Sequence, residues 1–459
     1  MGNAIKLSWK ERIGYCSGEM AQNIIYQTVS IWLLFYYTNV YGLKPEAAAL
    51  MFLLVRIIDI VWDPFVGTLV DRSYPRWGKY RSWLIIGGVP LAITAVLCFW
   101  NIFGSSLVYA YVTYIALSMC FTLTSVPYGA LGDSLTRDVN ELTVLTSVRM
   151  IFANVAGLLI KTLPLIIAIF APKGYDTPDS ADAWLVTMSI FSVAGMMLLV
   201  FCFSNTREKI VMNAKQSAQV RFKDLWTELS GNRPLRVLSL FFVISFATMS
   251  ISNASDSYFL TYVAGTGPLQ TSAFMWLGTI PAFIFLPLVP AIKRKTGKKL
   301  LFRLFIGLSV LGMAMMFIVA NTANPSGHFI LLCISQLIKS TGIVVATGYM
   351  WALVPEVVTF GEYLNGRRSS AIITALICIF MKAGMALGGI VPGLVLARTG
   401  YSAECNTQEG LAIQGIIWLV TIIPAVLMIA AYLVICRYEL SDSRIEEINV
   451  IVETRNQQK

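Results

Sequence analysis

Mostly apolar stretches of twenty or more residues recur from about residue 12 to residue 436, separated by short polar loops. A helix rises about 1.5 Å per residue, so about 20 apolar residues cross the hydrocarbon core of a bilayer. The expected spans are 12–38, 46–70, 82–101, 106–130, 143–170, 183–204, 236–263, 270–292, 302–320, 327–354, 370–397 and 411–436. The fourth, fifth and tenth are long, which implies tilt or helical extension beyond the membrane. Composition agrees. The chain is 56% hydrophobic and 13% charged, and a soluble protein carries about twice that charge. The expected class is an all-α membrane protein of twelve transmembrane helices. The first apolar segment is long and followed by others, so no cleavable signal peptide is expected.

The net charge of +10 does not point to nucleic acid, because the basic residues sit in short loops. Arg72, Arg76, Lys79 and Arg81 lie in the loop after the second span. Lys293, Arg294, Lys295, Lys298, Lys299 and Arg303 follow the eighth, and the 205–236 segment holds seven more, including Lys215 and Arg221. Alternate loops are poor in lysine and arginine. The positive-inside rule then puts both termini in the cytoplasm of a bacterial-type inner membrane.

The 205–236 segment divides six spans from six. The halves echo each other weakly, with Gly78-Lys79 matched by Gly297-Lys298 and Ala130-Leu131-Gly132-Asp133 by Ala352-Leu353-Val354-Pro355-Glu356. The expected organisation is an N-terminal six-helix bundle (1–204), a cytoplasmic middle loop (205–235), a C-terminal six-helix bundle (236–436) and a polar, partly helical cytoplasmic tail (437–459). A 6+6 layout fits a transporter of two related bundles with its substrate site near the midplane.

The second span contains Arg56, Asp59 and Asp63 in an otherwise apolar run. Each such charge costs about 2.5–3.5 kcal/mol at the bilayer centre. At about 100° per residue, Arg56, Asp59, Asp63 and Gly67 fall on one stripe within roughly 60°. Asp59 and Asp63 are an i,i+4 pair whose like charges need a positive partner. That partner is Arg56, a bound sodium ion or a proton; the alternative is an ion-pair network that only joins helices. Further intramembrane polar residues are Glu19, Asn23, Arg149, Lys161, Asp256, Lys339 and Lys382. The cysteines have no CxxC or zinc spacing and read as packing residues, with Cys405 outside the apolar segments. His328 sits in a polar turn, so a histidine relay or metal site is not expected and no cofactor is implied.

The run of Arg56, Asp59, Asp63, Pro64 and Gly67, then Asp71 and Arg72, then Arg76, Trp77, Gly78, Lys79, Tyr80, Arg81 and Trp83 strongly resembles the glycoside–pentoside–hexuronide:cation symporter family of the major facilitator superfamily. Gly14-Tyr15, Gly18-Glu19, Tyr36-Tyr37-Thr38, Val126-Pro127-Tyr128-Gly129 and Phe360-Gly361-Glu362-Tyr363 extend the likeness over essentially the whole chain. The resemblance implies two six-helix bundles in the major facilitator fold. It implies that Asp59 and Asp63 bind the coupling cation, with Thr122 nearby. It places Asn23 and Ser125 where members that carry melibiose have sugar-binding aspartates, Gln22 where they have a lysine, and Arg149 and Lys382 where the family has basic cavity residues. Glu19 and Tyr128 join the substrate candidates. Arg56, Asp71, Arg72, Lys79 and Arg81 are the gating and ion-pair candidates.

Neutral Asn23 and Ser125 make the cavity more positive, so Arg149 or Lys382 could bind a substrate carboxylate. The inferred substrate is a glucuronide or other hexuronide; the alternative is a neutral sugar, with Lys382 balancing Asp59 and Asp63. Either sodium or a proton could couple. Trp62 stands where some relatives offer an amide, which favours the proton. The expected function is import of a glycoside by cation symport through alternating access, by a monomer in the lipid bilayer. A cation-independent uniporter and a lysolipid or lipid carrier of the same fold are the alternatives. No GxSxG or HExxH set is present, so an enzyme is not expected.

Overall fold

The computed structural model describes residues 7–73, 75–136, 139–171, 174–209, 222–322, 324–365, 370–402 and 408–457. Lys215 and Arg221 of the middle loop and Cys405 lie outside the described residues. Among the described residues every regular element is a helix.

The first half comprises α1 (Trp9–Thr28), α2 (Pro45–Arg72), α3 (Trp83–Ile86), α4 (Gly88–Cys98), α5 (Leu107–Leu135), α6 (Val139–Lys161), α7 (Leu163–Phe170) and α8 (Ala181–Asn205). Next come α9 (Phe222–Gly231), α10 (Arg233–Tyr258), α11 (Pro268–Leu277), α12 (Ile280–Phe285), α13 (Val289–Ala320), α14 (Phe329–Met350) and α15 (Val354–Asn365). The chain ends with α16 (Ser370–Arg398), α17 (Gly410–Val420), α18 (Ile422–Ile435) and α19 (Asp442–Gln457).

Every expected span is helical. Among the described residues eight helices are long and apolar enough to cross a membrane, and one of them, Pro268–Ala320, holds two expected spans. The first two spans fall outside that set because they carry polar side chains in mid-helix, Glu19 and Asn23 in α1 and Arg56, Asp59 and Asp63 in α2. The third is interrupted between α3 and α4. Several breaks have a local cause. Proline gives no amide hydrogen to the preceding turn, and Pro164 and Pro281 stand at the starts of α7 and α12. Helices α1 and α10 both continue into π-helical turns, Val29–Leu33 and Tyr36–Val40 after the first, Phe259–Val263 after the second.

The chain forms two compact units. The first is Met1–Ser217 with Thr266–Trp276 and Leu396–Glu409; the second is Ala218–Gly265, Leu277–Val395 and Gly410–Lys459. In the first, an apolar cluster including Tyr15, Val66, Val70, Trp83, Leu131, Leu135 and Leu199 joins α1, α2, α3, α5 and α8. In the second, Phe241, Phe242, Phe302, Tyr349, Met350 and Met428 join α10, α13, α14 and α18.

The tail is more than a polar extension. Helix α19 buries Ile448 and Val452 in the second unit's core cluster. Arg455 donates to the Tyr363 carbonyl of α15 at 3.2 Å, and Asp442 pairs with Lys293 at 2.8 Å and Lys298 at 3.1 Å.

Candidate substrate and cation site

Helix α2 opens on Pro45, whose fixed φ suits a first helical residue, and it presents Arg56, Asp59 and Asp63 on one stripe. The Arg56 guanidinium bonds the Asp59 carboxylate at 3.0 Å and lies over the Tyr26 ring of α1, 6.0 Å from its centroid. Asp59 is buried. Its other oxygen accepts from the Ser118 hydroxyl of α5, and Asp63 accepts from Thr122 at 3.0 Å. Both pairs have the same sequence offset of 59 residues. The partners therefore advance together, and α2 and α5 run parallel, as the second and fourth spans of a serpentine chain must. Between them, Trp62 donates its indole N–H to the Met119 carbonyl at 3.1 Å. That bond locks the helix pair and offers no oxygen to an ion. Pro64 has no amide hydrogen for the Ile60 carbonyl, which frees a backbone acceptor beside the stripe.

A second polar ladder runs along α1. Glu19, Asn23 and Gln27 are spaced at i,i+4. Asn23 donates to the Glu19 carboxylate at 3.0 Å, and Gln27 donates to Asn23 at 3.0 Å and to the Ala153 carbonyl of α6 at 3.2 Å. Arg149 of α6 stands with its Nε 3.6 Å from Glu19. That distance makes an ion pair and not a hydrogen bond; the buried Nε has no acceptor among the described residues. The Gln22 amide nitrogen is likewise buried without one.

The structure separates other candidates from this ladder. Tyr128 is fully engaged in packing: its ring stacks on Tyr15 at 4.6 Å, and its hydroxyl donates to the Tyr15 carbonyl at 2.9 Å. A Cβ at Gly18 would stand 2.6 Å from the Tyr128 ring, so glycine there is a condition of the stack. The reading of Tyr128 as a substrate residue does not match this placement. Ser125 is half-buried on α5 and makes no hydrogen bond among the described residues. Lys382 is half-buried on α16 in the second unit. Asp256 and Lys339, flagged without a role, pair with each other at 3.5 Å in that unit.

The loop after α2 is tied down at the end of the first unit. Lys79, buried, pairs with Asp71 at 3.2 Å. Burial alone would lower the Lys79 pKa, but Asp71 overrides it and holds the ammonium above its ordinary value. Arg81 donates to the Thr206 carbonyl at 2.8 Å and lies over the Phe203 ring. Arg72 is exposed and makes no ion pair among the described residues, so it does not belong to this network.

Sequence reasoning missed the centre of the loop. Glu208, just past α8, accepts the backbone amides of Lys79, Tyr80 and Arg81 at 3.1, 2.7 and 2.8 Å. Gly78 has φ +123°, and a Cβ there would meet the Glu208 carboxylate at 2.8 Å. The same end carries Arg12 bonded to both oxygens of Glu141 at 2.9 and 2.8 Å, and Lys209 paired with Glu11 at 2.6 Å.

Residues 14–442 match the family described as MFS/sugar transport protein. The chain is similar to the uncharacterised symporter YnaJ of Bacillus subtilis (strain 168), 41% identical over 463 residues that cover 100% of this chain and 97% of that protein. It is 32% identical to the glucuronide carrier protein homolog of Escherichia coli (strain K12) over 458 residues, covering 98% of this chain and 96% of that protein. The solved structure of a D-xylose-proton symporter has the same fold, with a TM-score of 0.68 at 13% identity, over 94% of this chain and 98% of that one. The protein is a multi-pass membrane transporter and not an enzyme. It belongs to the MFS/sugar transport protein family, the glycoside–pentoside–hexuronide:cation symporters of the major facilitator superfamily.

Proposed function

We propose that this symporter imports an anionic glycoside, a glucuronide or related hexuronide, together with one monovalent cation bound at Asp59 and Asp63. The observation that carries the cation assignment is the doubled carboxylate–hydroxyl array of α2 and α5, Asp59 with Ser118 and Asp63 with Thr122. It collects carboxylate and hydroxyl oxygens on one stripe at mid-helix, where charge is costly unless it has work to do. Trp62 spends its polar atom on a backbone carbonyl, and this favours a proton over an ion that needs many oxygen ligands.

The anionic substrate reading rests on Arg149. Its guanidinium meets Glu19 at ion-pair distance, yet Nε has no acceptor. A substrate carboxylate could complete it, and a planar guanidinium binds a carboxylate through two parallel bonds. Asn23 and the unsatisfied Gln22 amide supply neutral partners for sugar hydroxyls. The similarity to a glucuronide carrier homolog points the same way. The charge distribution of the loops supports an inner-membrane protein with both termini in the cytoplasm.

Each ligand should raise the other's affinity by one common factor. The test is uptake into proteoliposomes of a β-glucuronide and of the matching neutral β-glucoside, driven by an imposed proton gradient or sodium gradient. The glucuronide accumulates uphill with the proton gradient, and Arg149→Gln raises its KM at least roughly tenfold, the equivalent of about 1.4 kcal/mol, without changing the glucoside's. Accumulation that ignores both gradients would sink the symport reading. Equal loss for both sugars in Arg149→Gln would sink the uronide reading while leaving symport intact.

A further inference from the structure

The second unit holds a cavity of about 800 Å³ where α13 begins and α18 ends. Its charged lining is Lys298, Lys299, Arg303 and Asp442. Two of these four are already committed. Lys298 is buried and bonds Glu356 at 2.7 Å and Asp442 at 3.1 Å, and Asp442 also takes Lys293 at 2.8 Å. Lys299 and Arg303 remain. Both are exposed and neither makes an ion pair among the described residues. They are an i,i+4 pair on α13, so they share one face, and no acid answers them there.

Most of the remaining lining is apolar or aromatic, including Leu300, Phe302, Tyr432 and Ile435, with the hydroxyls of Thr296 and Ser441 among it. Two apolar stripes leave the cavity along the outer surface. On α13, Leu300, Leu304 and Leu311 are 44%, 50% and 53% exposed. On α18, which packs beside α13, Ile429 and Leu433 are 47% and 61% exposed. From Leu300 to Leu311 the stripe is about 16 Å long at the helical rise, close to half of a hydrocarbon core of about 30 Å. A basic cavity at one end of an apolar track as long as one leaflet has the shape of a phospholipid. The track lies on helices that cross the bilayer, so a lipid held by the cations runs on along it, whereas a soluble phosphate compound would use the cations alone.

We infer that this cavity and track bind an anionic phospholipid, its phosphate on Lys299 and Arg303 and its acyl chains along Leu300, Leu304, Leu311, Ile429 and Leu433. The site lies wholly within the second unit and owes nothing to the substrate assignment. Basic pockets between membrane helices are suited to such headgroups, and each cation near an anionic surface is worth roughly a factor of five in affinity. The lipid would also sit against Lys298, which holds the tail helix through Asp442, so its occupancy should be felt in the seating of α19.

The test uses the full chain in detergent, titrated with phosphatidylglycerol, with phosphatidylcholine and with glycerol 1-phosphate. Thermal unfolding and native mass spectrometry read binding. Phosphatidylglycerol should bind at least tenfold more tightly than phosphatidylcholine. Lys299→Gln with Arg303→Gln should weaken phosphatidylglycerol about thirtyfold without moving the midpoint of the lipid-free protein by more than a degree or so. Arg294→Gln with Lys295→Gln removes the same charge from exposed neighbours outside the cavity and should leave binding unchanged. Equal weakening in that control would show diffuse surface attraction and overturn the proposal. Stabilisation by glycerol 1-phosphate equal to that by the lipid would also overturn it, in favour of a soluble phosphate site. Phosphatidylcholine binding as tight as phosphatidylglycerol would remove the phosphate–cation argument altogether.

Discussion

Replacing Asp59 by Asn tests the stripe on which the coupling argument stands. Asp59 is buried, is bonded to Arg56 at 3.0 Å and accepts the Ser118 hydroxyl. Removing one partner of a buried ion pair costs about 3–5 kcal/mol, because the other charge is left uncompensated. Two contacts soften the loss here. Asn keeps a neutral oxygen for the guanidinium, and the Tyr26 ring face at 6.0 Å contributes about 0.5–2 kcal/mol of cation–π attraction. The net expectation is about 2–3 kcal/mol, a fall of several degrees in the unfolding midpoint at fixed scan rate. Adding Arg56→Leu removes the orphaned charge, so the double variant should recover at least half of that fall. Uphill accumulation in proteoliposomes should be lost in both variants, since neither retains the carboxylate. Stability and coupling thus separate in one pair of proteins. An Asp59→Asn protein that melts with the wild type and still accumulates sugar uphill would refute the reasoning, and so would a double variant less stable than the single one.

Four other outcomes follow from the same geometry. Thr122→Val removes the hydroxyl on Asp63 at 3.0 Å and should weaken the coupling cation severalfold, read as a shifted pH or sodium dependence of uptake, with a stability loss of only about 1 kcal/mol. Glu208→Ala strips three backbone amides of their acceptor; at about 1 kcal/mol or more each, it should expose the loop and speed trypsin cleavage after Lys79 and Arg81 at least tenfold. Gly18→Val drives a side chain into the Tyr128 ring and should cost about 1–3 kcal/mol by overpacking, read as a lowered unfolding midpoint. For Asp442, burial would raise the carboxyl, but Lys293 and Lys298 outweigh it and hold the folded-state pKa below the ordinary value of 3.8. A depressed carboxyl stabilises docking above the unfolded pKa and loses that contribution as pH falls through the folded one. Amide protection in residues 442–457, taken relative to the intrinsic exchange rate at each pH, should therefore hold down to about pH 4 and fall only below it.

Much of this was legible from residues alone, for reasons that can be stated. A membrane span is announced by its length and polarity, and α2 placed Arg56, Asp59 and Asp63 on one stripe by helical arithmetic alone. What stayed hidden depends on which helices are neighbours. Ser118 lies one turn before Thr122, so it shares that residue's face, but only the parallel register of α2 and α5 reveals that the face meets Asp59. Glu208 had no signal at all. It follows a helix, lies in a charged loop and finds its amides 127 to 129 residues away. Tyr128 misled because an aromatic residue beside polar ones looks the same in sequence whether it stacks on a sugar or on Tyr15. The tail's Ile445, Ile448 and Val452 do repeat at i,i+3,i+7 and pack on one cluster, but Val450 and Ile451 beside them blur the stripe in a short charged stretch, so the docked helix does not stand out.

The weak internal echo acquires physical content from the loops. Gly78 and Gly297 both have positive φ, +123° and +74°, a conformation that costs glycine little and other residues more. Each is followed by a buried lysine, and each lysine is met by a carboxylate, Asp71 for Lys79 and Glu356 for Lys298. The likeness goes further than the glycine and lysine. In the first unit the chain leaving α8 supplies Glu208 to the amides of that loop. In the second the chain leaving α18 supplies Asp442 to Lys298. In both cases the segment just past the unit's last membrane helix returns an acid to the loop after its second span. The tail helix is then the second unit's counterpart of the connection that begins at Thr206, and its Asp442 does by ion pairing what Glu208 does by capping amides. Each loop is anchored inside its own unit, so a rigid-body motion of either unit carries its loop along without breaking these bonds. Cutting an anchor should loosen one loop and leave the other's protection unchanged, which hydrogen exchange in Glu208→Ala and Asp442→Ala can read separately.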